Sequence, residues 1–126
     1  MYQQDWFMRQ VQVLGQMVAK LLLKKDSPGY EILDEEHLTD TDLLYLQLNR
    51  LLDEREYAEA EALLQKQLRA DDRNHLSIAL LFYNSLNQLS DRELEEHEFS
   101  REQVEDGIRW AAGEFGLDMG CLGNRE

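Results

Sequence analysis

His75-Leu76-Ser77-Ile78-Ala79-Leu80-Leu81-Phe82-Tyr83-Asn84-Ser85-Leu86-Asn87-Gln88-Leu89 is the stretch on which the fold turns. Placed at 100° intervals on a helix, Leu76, Ile78, Ala79, Leu80, Leu81, Phe82, Tyr83, Leu86 and Leu89 leave almost no polar face. A helix that is apolar all round is central and buried. The spacing therefore predicts a core helix from about His75 to Leu89, with the other helices packed about it. Asp71, Asp72 and Asn74 precede it as capping residues, and His75 reads as a packing or capping residue at its start.

Upstream, Leu44, Leu48, Leu51 and Leu52 share one face of a helix that runs to about Glu54, with Thr39, Asp40, Thr41 and Asp42 as N-cap candidates. A turn near Arg55 leads into a helix over 56–70, where Ala58, Ala60 and Ala62 permit close approach and Leu63, Leu64 and Leu68 fill space. So short a connection implies an antiparallel helical hairpin. Residues 26–40 form an acidic connecting loop with few apolar anchors (Tyr30, Ile32, Leu33 and Leu38). Downstream, Ser90 caps a short acidic turn over 91–97. Ser100 and Gln103 form a capping box for a last helix over about 101–115, and Gly116 stands where a C′ glycine belongs. The expected fold class is all-α: antiparallel helical hairpins, about five main helices, in one domain over 1–126. That domain divides into a long N-terminal amphipathic helix (1–25), a helical-hairpin core (40–115) and an irregular tail (116–126).

On the first helix, Trp6, Phe7, Val11, Val13, Leu14, Met17, Val18, Leu21 and Leu22 fill roughly half the circumference. A helix packed on one side needs an apolar stripe only ~100° wide. Either this helix is sandwiched within its own domain, or its second face meets another chain. Lys24 and Lys25 suit the negative end of the helix dipole, and Ser27-Pro28-Gly29 is expected to stop the helix. The candidate interface residues are Trp6, Phe7, Val11, Leu14, Met17, Val18 and Leu21, together with Trp110 on the last helix. Trp110 lies off the core stripe of Val104, Ile108, Ala111, Ala112 and Phe115, among Gln103, Asp106, Gly107 and Glu114. It is either an interface anchor or covered by the tail residues Leu117, Met119 and Leu122.

The chain's 126 residues suffice for one core, and one proline with seven glycines gives little punctuation for a many-stranded β fold. Its single cysteine, Cys121, cannot form an internal disulfide. With Arg125 its only nearby cation, it reads as an incidental or partly buried thiol. Asp5 and Trp6 stand where a signal peptide would be basic. The stretch from Val11 to Leu23, interrupted by Gln12, Gln16 and Lys20, falls short of the ~20 apolar residues of a membrane span. A cytoplasmic protein is expected. The net charge of −13 is uneven. Residues 1–25 hold Arg9, Lys20, Lys24 and Lys25 against Asp5 alone, a balance of +3, which leaves −16 on the remainder. Phosphate binding needs a basic surface, so no nucleic-acid partner is expected. The acidic faces read chiefly as solubilising; the stretch from Asp91 to Asp106, with eight carboxylates and two arginines, could also receive a basic partner.

Leu44, Leu48, Leu51, Tyr57, Ala60 and Leu64 follow a large–large–large–aromatic–small–large spacing that resembles one tetratricopeptide unit. The hairpin departs from that motif at Leu48 and Gln67, where small residues are usual, and at Asp72, where proline is. A shift by that repeat's ~34-residue period gives no convincing second copy. The resemblance implies a scaffold that binds peptides or proteins. The chain as a whole resembles a family of short, uncharacterised bacterial helical proteins. That likeness is carried by Tyr2-Gln3-Gln4-Asp5-Trp6-Phe7-Met8-Arg9-Gln10, Phe82-Tyr83-Asn84, Leu89-Ser90-Asp91 and Phe99-Ser100-Arg101-Glu102, and it brings no activity with it.

The sequence offers no equipment for catalysis, so no enzyme and no cofactor are expected. Nucleotide-binding glycine loops, H-E-x-x-H, C-x-x-C and G-x-S-x-G are all missing. Asp40 and Asp42 have the opening spacing of a calcium loop but lack its glycine and terminal glutamate, so they read as helix N-terminal carboxylates. Asp34 with His37, and Glu93 with His97, are spaced to approach one metal ion, but solvated acidic surface is the plainer reading. The expected role is a protein–protein interaction or scaffolding module, dimeric through its first helix. A peripheral membrane protein anchored by that basic amphipathic helix is the alternative, and it is ranked lower because an anionic surface would repel the acidic remainder.

Overall fold

The computed structural model describes residues 2–117, with side chains from Asp5 onwards. It is all-helical, with no strand among the described residues: α1 (Tyr2–Val18), a π-helical turn (Ala19–Leu23), α2 (Asp40–Asp53), α3 (Tyr57–Gln67), α4 (Arg73–Asn87), α5 (Asp91–Glu96) and α6 (Arg101–Glu114). Residues 24–39 cross between the π turn and α2 without regular structure.

The apolar circumference of α4 is enclosed as the sequence requires. Leu76, Ile78, Ala79, Leu80, Phe82, Tyr83 and Leu86 are all buried, under α6, α1, α2 and the π turn. The helices α2 and α3 are joined by three residues and pack as a hairpin. The turn between them relies on Arg55 in the left-handed region, with φ 62°.

Local capping follows the sequence closely. Thr39 and Asp42 form a reciprocal capping box, each side chain accepting the other's backbone N–H at 3.0 Å. Asp72, Ser90 and Ser100 each accept an N–H from the first turn of α4, α5 and α6. Gly116 ends α6 at φ 90°. Tail residues 118–126, Cys121, Met119 and Leu122 among them, lie outside the described residues.

The first helix departs from expectation at its C-terminal end. It widens into the π turn after Val18 and stops at Lys24, before Ser27-Pro28-Gly29 is reached. Lys24 sits in the left-handed region, and its N–H returns to the Ala19 carbonyl, which also accepts from Lys25 at 3.4 Å. The Arg73 guanidinium, from the start of α4, donates to the Leu22 carbonyl. Backbone oxygens left open by the wider turn are thereby satisfied.

Two glycines let neighbouring helices close on α4. A Cβ built on Gly107 would lie 2.2 Å from Cε1 and Cζ of Tyr83, so α6 can reach the buried phenol ring only without a side chain there. The Tyr83 hydroxyl donates to Glu61 of α3 at 2.8 Å. Burial, and then the Glu61 charge, push that hydroxyl's pKa far up, and burial raises the Glu61 carboxyl above its ordinary range. Gly15 on α1 is a milder case: a Cβ there would fall 3.2 Å from Asn84 Oδ1, a tight approach, and 3.8 Å from Ile108 Cδ1, an ordinary contact.

The polar end of α4 is closed by buried Arg101. Its guanidinium donates to the Asn87 carbonyl at 2.8 Å, Asn87 Oδ1 at 2.9 Å, the Leu89 carbonyl at 2.6 Å and Asp91 Oδ1 at 2.9 Å. Asn87 Nδ2 in turn donates to the Met8 carbonyl at 3.0 Å. One cation thus joins the ends of α4, α5 and α6, and through Asn87 it reaches α1.

Gly107→Ala is expected to destabilise by about 2 kcal/mol through overpacking against Tyr83, although helix propensity alone favours alanine by about 1 kcal/mol. Urea denaturation followed by circular dichroism checks the sign. Arg101→Met, which strands several acceptors at once, is expected to cost about 3 kcal/mol by the same measurement.

Candidate functional site

The half-circumference of α1 is divided between two environments. Val11, Leu14 and Val18 are buried in the core, with Gly15 beside them, against α4 and α6. Phe7 is half-buried against the same cluster. These residues belong to the fold and do not form an outer face, which corrects the expectation for Val11, Leu14 and Val18. The helix is broad in its apolar pattern because it lies across two neighbours.

A second, narrower strip remains in solvent. Trp6 is 64 % exposed, Val13 47 % and Leu21 43 %, with half-buried Met17 between the last two. Trp6 and Val13 are seven residues apart and share a line along the helix. Exposed Arg9 and Lys20 border that line. Val13 lies outside the candidate interface set, and its seven-residue spacing from Trp6 places it on this line. Trp110 is half-buried against the core rather than standing free. Gly107, one turn before it, belongs to the buried face, so the packing stripe of α6 is wider than its large residues suggest.

A polar cleft of about 740 Å³ opens where residues 24–39 meet the N-termini of α2 and α4, lined in part by Tyr30, Asp34, His37, Thr41, Asp42 and Asp72. Its polar groups are engaged locally. Tyr30 donates to Asp42 and packs its ring on Tyr45, 5.0 Å between centroids. Burial and the Asp42 carboxylate push the Tyr30 pKa up to about 12, while the Thr39 amide, and then Tyr30, hold Asp42 below the usual carboxylate range. Asp34 accepts the Glu36 N–H and meets His37 Nδ1, both at 3.0 Å. Among the described residues no group of three or more His, Cys, Asp or Glu side chains is placed to hold a metal ion.

Thr41 Oγ1 lies 3.2 Å from His75 Nε2 and 3.4 Å from Asp72 Oδ2, which looks at first like a nucleophile beside a base. The tautomer excludes it. His75 Nδ1 accepts the Arg69 backbone N–H at 3.0 Å, so in the neutral ring the hydrogen sits on Nε2 and no lone pair faces the hydroxyl. Asp72 touches the hydroxyl rather than Nδ1, the reverse of a catalytic triad.

At the far end of the hairpin, Glu93 of α5 accepts from the Tyr57 hydroxyl at 2.8 Å, with Arg55 Nε at 3.8 Å and His97 Nδ1 at 3.6 Å. His97 also bonds the Glu93 carbonyl at 3.0 Å and meets Tyr57 edge-on at 5.2 Å. Burial and then Glu93 push the Tyr57 pKa up to about 12. This cluster fastens α5 to the α2–α3 turn.

Fold and surface together define an all-α protein with an exposed apolar strip on its first helix. The chain belongs to a family of unknown function (DUF6483), whose sequence model matches residues 1–116. No curated protein and no solved structure matches it. No described helix is long and apolar enough to cross a membrane.

The two tryptophans give a direct check on the surface. Acrylamide is expected to quench a readily accessible, red-shifted component of the emission, and Trp6→Phe is expected to remove that component while leaving the protected signal of Trp110.

Proposed function

We propose that the protein is a non-catalytic interaction module that self-associates through the outward strip of α1. The observation that carries this reading is the solvent exposure of Trp6, Val13 and Leu21 on a helix whose adjoining face is fixed in the core. Charge along the helix favours a second copy laid antiparallel. Asp5 stands at one end, and Lys20, Lys24 and Lys25 at the other. Antiparallel pairing about Val13 brings Trp6 of each copy over the partner's Lys20, a cation–π arrangement. Parallel pairing sets Lys20 against Lys20.

The strip from Trp6 to Leu21 is about 22 Å long at the helical rise and one helix wide. That is less than a standard interface of roughly 1,600 Å², so the association is weak and concentration-dependent. In this reading the α2–α3 hairpin is a tetratricopeptide-like support, consistent with Leu44, Leu48, Leu51, Tyr57, Ala60 and Leu64 all being buried.

Exposed Arg9, Lys20, Lys24 and Lys25 favour a second reading, in which the same strip docks on an anionic membrane. The −16 carried by the rest of the chain opposes it. Light scattering separates the two. The mean mass is expected to climb towards that of a dimer as concentration rises to about 500 µM, and Val13→Glu is expected to hold it at monomer. A monomeric wild type over that range contradicts self-association, and co-sedimentation with phosphatidylserine vesicles would then favour the membrane reading.

A further inference from the structure

We propose that His75 is a proton-operated latch: its neutral ring holds the α3–α4 connection at Arg69 onto α4, and protonation releases it. The ring is almost fully buried and sits in a chain of hydrogen bonds that crosses three segments, the α3–α4 connection, α4 and α2. Nδ1 accepts from Arg69 in the α3–α4 connection at 3.0 Å. Nε2–H donates to Thr41 in the first turn of α2 at 3.2 Å, and the Thr41 hydroxyl is oriented towards Asp72 at 3.4 Å. Asp72 caps α4 through the Asn74 N–H at 2.9 Å. Beside Thr41, Asp42 holds both the Thr39 amide and the Tyr30 hydroxyl, which is where the loop is tied down.

A backbone N–H can only donate. A proton taken from solvent onto Nδ1 removes its lone pair and sets N–H against N–H at Arg69. Rotating the ring by 180° presents a carbon to each partner, so it does not restore the bonds. The connection carrying Arg69 must withdraw, while Nε2–H keeps its bond to Thr41. The charged groups around the ring are Asp72 and Asp71, which favour the proton, Arg69, which opposes it, and Asp40 and Asp42 in the same turn as Thr41. Arg69 is itself paired with Asp71 at 3.2 Å, and Asp72 Oδ2 is 4.0 Å from Nε2.

Burial is the largest influence and holds the ring's proton affinity below the ordinary histidine value of 6.5, with Asp72 and Asp71 acting against it and Arg69 with it. The sign follows from linkage. The unfolded chain binds the proton more readily than the native one, so the latch's contribution is complete above pH 6.5 and declines as pH falls through it.

The experiment is NMR on the full chain between about pH 7.5 and pH 5. The ¹⁵N shifts of His75 are expected to show an Nε2–H tautomer at the upper end. On protonation, the amide of Arg69 is expected to lose about tenfold or more of its exchange protection while those of α6 keep theirs. His75→Asn keeps an acceptor near Nδ1 that does not titrate, and is expected to abolish the pH dependence at Arg69. The latch is overturned if His75 protonates with Arg69 still protected, if α6 loses protection in parallel, or if the ring stays neutral at the lower end. The wild-type spectra decide this even if His75→Asn fails to fold.

Discussion

A helix with no polar face can be stable in water only if neighbours surround it, and α4 imposes that requirement on the whole chain. Each large apolar side chain it buries contributes roughly 1.5–3 kcal/mol, but only where the surrounding helices come into contact. Van der Waals attraction falls away within an ångström of separation, so close approach is the condition that the other elements meet. Gly107 meets it on α6 by leaving room for the Tyr83 ring, and Gly15 meets it on α1 beside Asn84 and Ile108.

Enclosing a helix on all sides also threatens its ends, where backbone groups have no partner within the helix. The two ends of α4 are closed in different ways. At the C-terminal end a permanent cation, Arg101, gathers the carbonyls of Asn87 and Leu89, where positive charge also suits the helix dipole. At the N-terminal end the work falls to Asp72 and to His75, whose neutral ring reaches back to the Arg69 amide. One end is therefore closed by a group that stays charged, and the other by a buried ring that burial keeps neutral.

What could be read from the sequence was whatever local chemistry determines. The buried helix followed from its apolar circumference, and the caps at Thr39, Ser90 and Ser100 followed from side chains that bond their own first turn. The hairpin followed from a connection too short for anything else. What could not be read depends on partners distant in sequence. Arg101 looked like one more charge in an acidic stretch until Asn87 and Asp91 were placed beside it. Gly107 counted as a polar-face residue until Tyr83 was found against it. The π turn after Val18 is stabilised by Arg73, some fifty residues on. For α1, periodicity gave the width of the apolar surface but not its division. Val11, Leu14 and Val18 face two neighbours at once, and only the strip through Trp6, Val13 and Leu21 is left outside.

That strip is apolar surface on α1 that packing and capping do not use, and it is the basis for reading the protein as a self-associating module. The orientation of the pair is its most specific consequence. Spin labels placed singly at Gln16 and at Asp5, in a Cys121→Ser background, measure it by pulsed dipolar spectroscopy on concentrated protein. With a two-fold axis at Val13, labels at Gln16 are offset along the axis by about 9 Å and labels at Asp5 by about 24 Å. The account predicts a short distance for Gln16 and a clearly longer one for Asp5. Equal distances at the two positions, or no dipolar coupling at either, would contradict it.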